Sequence, residues 1–174
     1  MFTSLIIFST TDGHTKKICE KIVNFLNNEK LVKIVSLDEA TKLDLFEFQR
    51  IIIGASIRYG KHSRELYKFI KINKRILDQK QSVFFSVNVV ARKSEKNSPE
   101  TNPYIKKFFK KTKWIPKKVG VFAGKVDYPN YNLFNRFAIR FIMLVTKGPT
   151  DITKSYEFTN WDVVKKFAQD LDNL

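Results

Sequence analysis

Residues 9–15 read Ser-Thr-Thr-Asp-Gly-His-Thr and stand between a short apolar run at 5–8 and a stretch with helical spacing. A hydroxyl-rich turn with one glycine, set between a strand and a helix N-terminus, offers the chemistry that holds a phosphate. Backbone N–H groups around Gly13, the hydroxyls of Ser9, Thr10, Thr11 and Thr15, and the positive end of the helix dipole all favour an anion. The plainer reading of this loop alone is a capped helix start. The second and third glycines of a dinucleotide-binding loop are absent, and so is the Gly-Lys-Ser/Thr ending of a triphosphate loop. A monophosphate is therefore favoured over a dinucleotide or a triphosphate, with Asp12 and His14 flanking it.

Two further loops belong with this one. Ser56-Ile57-Arg58-Tyr59-Gly60 follows the apolar run 51–53, and Ser86-Val87-Asn88-Val89-Val90-Ala91-Arg92 closes the run 83–87. The runs 5–8, 32–35, 51–53, 83–87 and 119–122 are short and mostly rich in β-branched and aromatic residues, as strands buried on both faces are. Helical spacing links Ile18, Ile22, Phe25 and Leu26, then Leu66, Phe69, Ile70 and Leu77, then Tyr104, Ile105, Phe108 and Phe109, and last Val164, Phe167, Ala168 and Leu171. Thr159 or Asn160 would cap that final helix. Only the stretch 38–48 is weak, with one or two turns of helical pattern. Strands alternating with helices predict an α/β fold with a parallel sheet covered on both faces. In an open parallel sheet, ligands sit beyond the carboxyl ends of the strands, so the three loops share one edge. A phosphate seat beside an aromatic residue, amides and small residues suits a flat monophosphorylated ring system, and flavin mononucleotide (FMN) fits.

Residues 125–150 do not follow the alternation, and loops this long in a compact domain are usually functional. Within them Asn132, Arg136, Arg140 and Lys147 share a narrow stripe, whereas Leu133, Phe134, Phe137, Phe141, Ile142, Leu144 and Val145 cover a wide opposite arc. Such an amphipathic helix is either an extra core helix or one that lies on a membrane or over an apolar ligand. Of the two histidines, His14 is read as a loop residue beside the phosphate. His62, near Arg58, is a weak candidate for proton transfer, and no residue stands out as a general base. Cys19 shares a helix face with Ile22 and Leu26 and reads as a buried thiol.

The chain has 174 residues, 43% of them hydrophobic, which supports one domain spanning 1–174 with an insertion at about 125–150. No run reaches the apolar length of a spanning helix, the start lacks the marks of a signal peptide, and a single cysteine excludes both an internal disulfide and a cysteine-based metal site. No metal is expected, and the chain is expected to stay inside the cell. The unusual quantity is charge: 32 Lys and Arg against 17 Asp and Glu give a formal net charge of +15. Such a chain is drawn to something anionic. Seven lysines between Lys106 and Lys118 read as a solvated helix face, or as a contact for anionic lipid or nucleic acid.

The loop 9–15 resembles the phosphate loop of flavodoxins, and longer strings narrow the match. Ile52-Ile53-Gly54-Ala55-Ser56-Ile57-Arg58-Tyr59-Gly60, the string from Phe85 to Lys93, Thr101-Asn102-Pro103-Tyr104 and Thr150-Asp151-Ile152-Thr153-Lys154 are similar to the bacterial quinone-dependent (menaquinone-dependent) protoporphyrinogen IX dehydrogenases. The resemblance implies a flavodoxin-like sheet of order 2-1-3-4-5, one non-covalent FMN, and oxidation of protoporphyrinogen IX to protoporphyrin IX in haem biosynthesis. Electrons would pass to menaquinone or ubiquinone, from a peripheral position on the cytoplasmic face of the inner membrane. Two propionates on a large apolar macrocycle call for cations beside an apolar wall. Arg58, Arg92, Lys93, Arg136 and Arg140 are the expected cations, and Phe134, Phe137 and Phe141 the expected wall, facing substrate or membrane. Self-association stays open, nucleic acid is disfavoured as a partner, and the rival readings are an NAD(P)H-driven flavodoxin-like quinone reductase and a basic nucleic-acid-binding protein.

Overall fold

A computed structural model describes residues 3–26 and 31–174. Five parallel strands, β1 (Ser4–Ser9), β2 (Val32–Ser36), β3 (Arg50–Ser56), β4 (Gln81–Val87) and β5 (Lys118–Phe122), form one sheet of order β2-β1-β3-β4-β5. The register sets Phe8 beside Gly54 and Ser56 beside Val87, so the strand ends and their loops reach one edge together. Parallel neighbours need crossovers, and four helices supply most of them: α1 (His14–Phe25), α2 (Leu37–Ala40), α3 (Arg64–Gln79) and α4 (Pro103–Thr112). The weak stretch at 38–48 holds only the single turn of α2 and a 3-10 turn at Leu45–Glu47.

The two sheet faces carry separate cores. On one, Ile6, Ile52, Val83 and Phe85 pack against Ile18, Cys19 and Ile22 of α1 and Val164, Phe167 and Leu171 of the final helix. On the other, Leu5, Ile7, Ile51, Ile53 and Phe84 meet Leu66, Phe69 and Ile70 of α3 and Ile105 and Phe108 of α4. Cys19 is fully buried, and burial pushes its thiol pKa upward, as an inert core thiol requires.

Between β5 and the final helix lie the short strand β6 (Lys125–Asp127), a 3-10 turn at Tyr128–Asn130, the helix α5 (Leu133–Val145) and the strand β7 (Ser155–Glu157). β6 and β7 pair antiparallel into a separate two-stranded sheet that closes the base of the insertion, and no sequence pattern predicts it. The last helix, α6 (Trp161–Asp172), is capped by Asn160, whose Oδ1 accepts from the N–H groups of Asp162 and Val163. Val126, Tyr128, Tyr131 and Met143 make a third, small core beneath the insertion.

Candidate functional site

The first-turn amides of α1 are not met by a side chain. Its N-cap is Gly13, in the left-handed region at φ 79° and with no capping hydrogen bond. Side chains cap every other helix among the described residues: Ser36, Ser63, Asn102, Asn132 and Asn160. A helix start without such a cap leaves its N–H groups for another acceptor. Thr15, one residue into α1, is 1% exposed, and its Oγ1 has no hydrogen-bond partner. Buried hydroxyls are nearly always paired, so an orphan beside open amides marks the seat of a missing acceptor. A phosphate dianion satisfies both, and the seat therefore fits FMN.

The three loops meet here in a narrow cleft of about 50 Å³, lined by Thr10, Thr11, Asp12, His14 and Thr15, by Ser56, Ile57 and Arg58, and by Val87, Asn88 and Val89. Gly124 and Lys125 complete the lining, and neither was named from the sequence. The loop after β5 opens onto the same edge, so the rule that nominated the other loops would have found them. Ser9 lies at the rim, where its carbonyl accepts from Ser56 Oγ at 3.4 Å. His14 closes the side, with Nε2 2.6 Å from Thr159 Oγ1 and its ring against Trp161, and burial lowers its pKa.

Arg58 is the hub of the loop after β3. Its Nη1 is 2.6 Å from Asp12 Oδ2, and its guanidinium lies over the rings of Tyr59 and Tyr131. Tyr59 and Gly60 both take positive φ, 49° and 75°, between the reciprocal backbone bonds of Arg58 and Lys61. That is the geometry of a tight two-residue turn, and it aims the Tyr59 hydroxyl at Oδ1 of Asn135 on α5.

Several expectations need correction. Ser86 and Asn88 were expected among the cofactor-binding residues; Asn88 lines the cleft, Ser86 does not, and the side chains of both are engaged in a buried internal network. His62 Nε2 lies 3.1 Å from Ser86 Oγ, Asn88 Nδ2 donates to the same oxygen, and Asn102 Nδ2 donates to Asn88 Oδ1. His62 is 2% exposed between Phe84 and Phe108, and burial lowers its pKa to about 3. His62 does not line the cleft and its Nε2 is engaged with Ser86 Oγ, so the structure gives it a structural role and adds no support to the weak proton-transfer candidacy. Ala91 is buried, and Arg92 donates to the carbonyls of Val89 and Thr146 and to Thr146 Oγ1. Arg92 thus fastens the C-terminal end of α5 rather than reaching a propionate. Arg136 likewise donates to the carbonyls of Tyr128, Pro129 and Tyr131, which removes it from substrate or lipid. Lys93 is half-buried at the end of the loop after β4, and Arg140 is exposed on α5.

The apolar arc of α5 is not core. Phe134, Phe137 and Phe141 are 76%, 61% and 66% exposed, and only Met143 of this helix is buried.

Comparison with known proteins agrees with this architecture. A family model of the flavodoxin domain matches residues 5–153. A protein of Leishmania major named protoporphyrinogen IX dehydrogenase (quinone) is 44% identical over 172 residues, which cover 98% of this chain and 74% of that protein. A protein of the same name from Escherichia coli strain K12 is 36% identical over 172 residues, covering 98% of this chain and 95% of its own. Among solved structures, an archaeal flavodoxin superposes with a TM-score of 0.52 at 14% identity, covering 98% of this chain and 96% of that one. Rubredoxin oxygen:oxidoreductase of Desulfovibrio gigas gives 0.53 at 12% identity, over 98% of this chain and 35% of that one. These two likenesses speak for the fold.

Proposed function

We infer, for a chain that belongs to the flavodoxin-domain family of the quinone-dependent protoporphyrinogen IX dehydrogenases, that it oxidises protoporphyrinogen IX to protoporphyrin IX and passes the electrons to a quinone. The observation that carries this reading is identity of 36% and 44% to proteins of that name over 98% of the chain, a span that includes the insertion as well as the sheet. FMN is the cofactor, and it supplies the two-electron acceptor for each of the three oxidation cycles that make the tetrapyrrole aromatic. The protein's own work is positioning. The α1 amides, Thr15 Oγ1 and the Thr10 and Thr11 hydroxyls hold the phosphate, and Arg58 neutralises Asp12 so that the anionic loop tolerates a dianion. The buried network of His62, Ser86, Asn88 and Asn102 holds the loop after β4 in place at the edge of the sheet where the cofactor would bind.

The insertion serves the apolar partners. Among the described residues no helix is long and apolar enough to cross a membrane. The exposed phenylalanines of α5, with Arg140 and Lys147 beside them, suit a helix lying in the interface of an anionic bilayer, on the cytoplasmic face of the membrane that holds the quinone. The test is the purified protein mixed without oxygen with protoporphyrinogen IX and a quinone, followed by porphyrin fluorescence and quinol formation. Flavin bands with porphyrin formed only when quinone is added support the reading. Rapid bleaching of the flavin by NADPH with no oxidation of the tetrapyrrole would replace it with the NAD(P)H-driven reductase.

A further inference from the structure

A second cavity lies apart from the flavin cleft, although Thr10 borders both. It is a groove of about 670 Å³ between α2, the phosphate loop and α3. Its origin is local: the crossover after β2 has shrunk to one turn of α2, so no full helix covers the sheet there. Phe8, Leu37, Leu43, Phe69 and Ile72 make apolar walls, and Ile72 stands 69% exposed at the rim. That volume lies in the range of small-molecule sites, and the mixture of apolar walls with a few polar groups is theirs as well.

Charge narrows the ligand. The whole chain carries 32 basic against 17 acidic residues, yet the charged side chains that line this groove are Asp38, which pairs with Lys42, together with Glu65 and Lys68, so the groove carries no excess of positive charge. A bis-propionate tetrapyrrole or an anionic lipid head is poorly placed there. A neutral ligand meets no such objection. At the inner end, next to the phosphate loop, Ser9 Oγ and Ser63 Oγ lie 3.5 Å apart. Ser63 Oγ accepts from the Leu66 N–H, and one bond between two hydroxyls leaves a proton free to donate to a carbonyl oxygen. From Ser63 to Ile72 the groove follows α3 for nine residues, about 13 Å at the rise of an α-helix.

We propose that this groove is a second ligand site, which takes the neutral quinone acceptor with its ring carbonyl at the Ser9 and Ser63 hydroxyls and its prenyl chain along Phe69 and Ile72. The proposal rests on the quinone-dependent reading above. It separates the acceptor from the tetrapyrrole, so that both bind the holoenzyme at once.

The test uses FMN-loaded enzyme, a benzoquinone with a ten-carbon tail, and the variants Ile72→Glu and Lys68→Trp. Both positions are exposed on α3, one variant setting a charge against the tail and the other filling the groove. Equilibrium dialysis of the tailed quinone should show binding weakened about tenfold or more in each variant, with the flavin spectrum and the KM for protoporphyrinogen unchanged. The KM for the tailed quinone should rise in parallel, and the KM for the tailless ring should rise much less in Ile72→Glu. Unaltered quinone binding in both variants overturns the site. If the wild-type enzyme does not couple protoporphyrinogen oxidation to quinone at all, the functional reading fails, and dialysis still decides whether the groove takes the quinone.

Discussion

Replacing Thr15 by Val tests the phosphate seat by changing two measurable quantities in opposite directions. Val keeps the shape of the side chain and removes its hydroxyl. In the structure that hydroxyl is buried and meets no hydrogen-bond partner in the protein, and a hydroxyl left so costs about 1–3 kcal/mol. Removing it should stabilise the flavin-free form by part of that amount, since Val and Thr have about the same helix propensity. At ~2–4 °C per kcal/mol for a domain of this size, the melting temperature of the flavin-free protein should rise by a few degrees. With FMN present the sign reverses. A hydrogen bond from a hydroxyl to a phosphate dianion is worth about 1.5–3 kcal/mol, so the Kd for FMN should rise about 10- to 150-fold. Thr15→Ser keeps the hydroxyl and should keep the affinity. The assay is fluorescence titration of flavin-free protein with FMN, alongside thermal melts without it. An FMN affinity within twofold of wild type, or a flavin-free variant that melts below wild type, refutes the assignment of this orphan oxygen to the phosphate.

Three other perturbations bear on the loops and the insertion. Arg92→Ala removes the bonds that tie the loop after β4 to the end of α5, so amide exchange around Thr146 should accelerate by about 10-fold or more while β3 and β4 stay protected; unchanged exchange there argues against the clasp. His62 should make the fold acid-sensitive. The unfolded imidazole takes a proton below about pH 6.5 and the folded one only below about 3, so stability falls by up to ~1.4 kcal/mol per pH unit on acidification through that window. His14, also shifted downward, adds in the same direction, so the contribution of His62 is read as the difference between wild type and His62→Phe in urea midpoints at pH 7 and pH 5; equal slopes would exclude it. Phe137→Ser with Phe141→Ser should leave the fold intact and lower binding to anionic vesicles by about tenfold or more, measured by cosedimentation, and undiminished binding would remove α5 from the membrane.

The sheet was legible because buried parallel strands write continuous apolar runs, and Ile51, Ile52 and Ile53 or Val83, Phe84 and Phe85 admit few other readings. β6 and β7 were not, since three-residue strands hold no periodicity and exist only because Val126 and Tyr156 meet across a fold already formed. The hydroxyl-rich turn at 9–15 between β1 and α1 was legible from residue types alone. What the neighbouring side chains do was not, because it depends on direction. Ser86 and Asn88 lie at the carboxyl end of a strand, where side chains alternate between faces, and both turn into the buried network with His62. The arginines show the same limit. Sequence marks Arg92 and Arg136 as cations near a site, yet both are bonded to backbone carbonyls, Arg92 to Val89 and Thr146 and Arg136 to the turn before α5, and only the packed backbone reveals that.

The insertion is bound to the site at three places. Tyr59 reaches Asn135, Arg58 lies over Tyr131, and Arg92 holds Thr146. Each of those partners comes from a loop at the ligand edge of the sheet. Position is therefore transmitted from the phosphate seat, through Asp12 and Arg58, to the segment that presents the apolar helix. A core helix would direct its phenylalanines inward, whereas α5 buries Met143 and leaves the phenylalanine face outside. Leaving so much apolar surface in water is unfavourable unless something covers it, and the covering agent must be apolar and large. A net charge of +15 acts over longer range than that face does, and salt screens it over roughly 10 Å. On the proposed reading, charge would gather the protein at an anionic surface and the apolar face of α5 would then decide how it lies there.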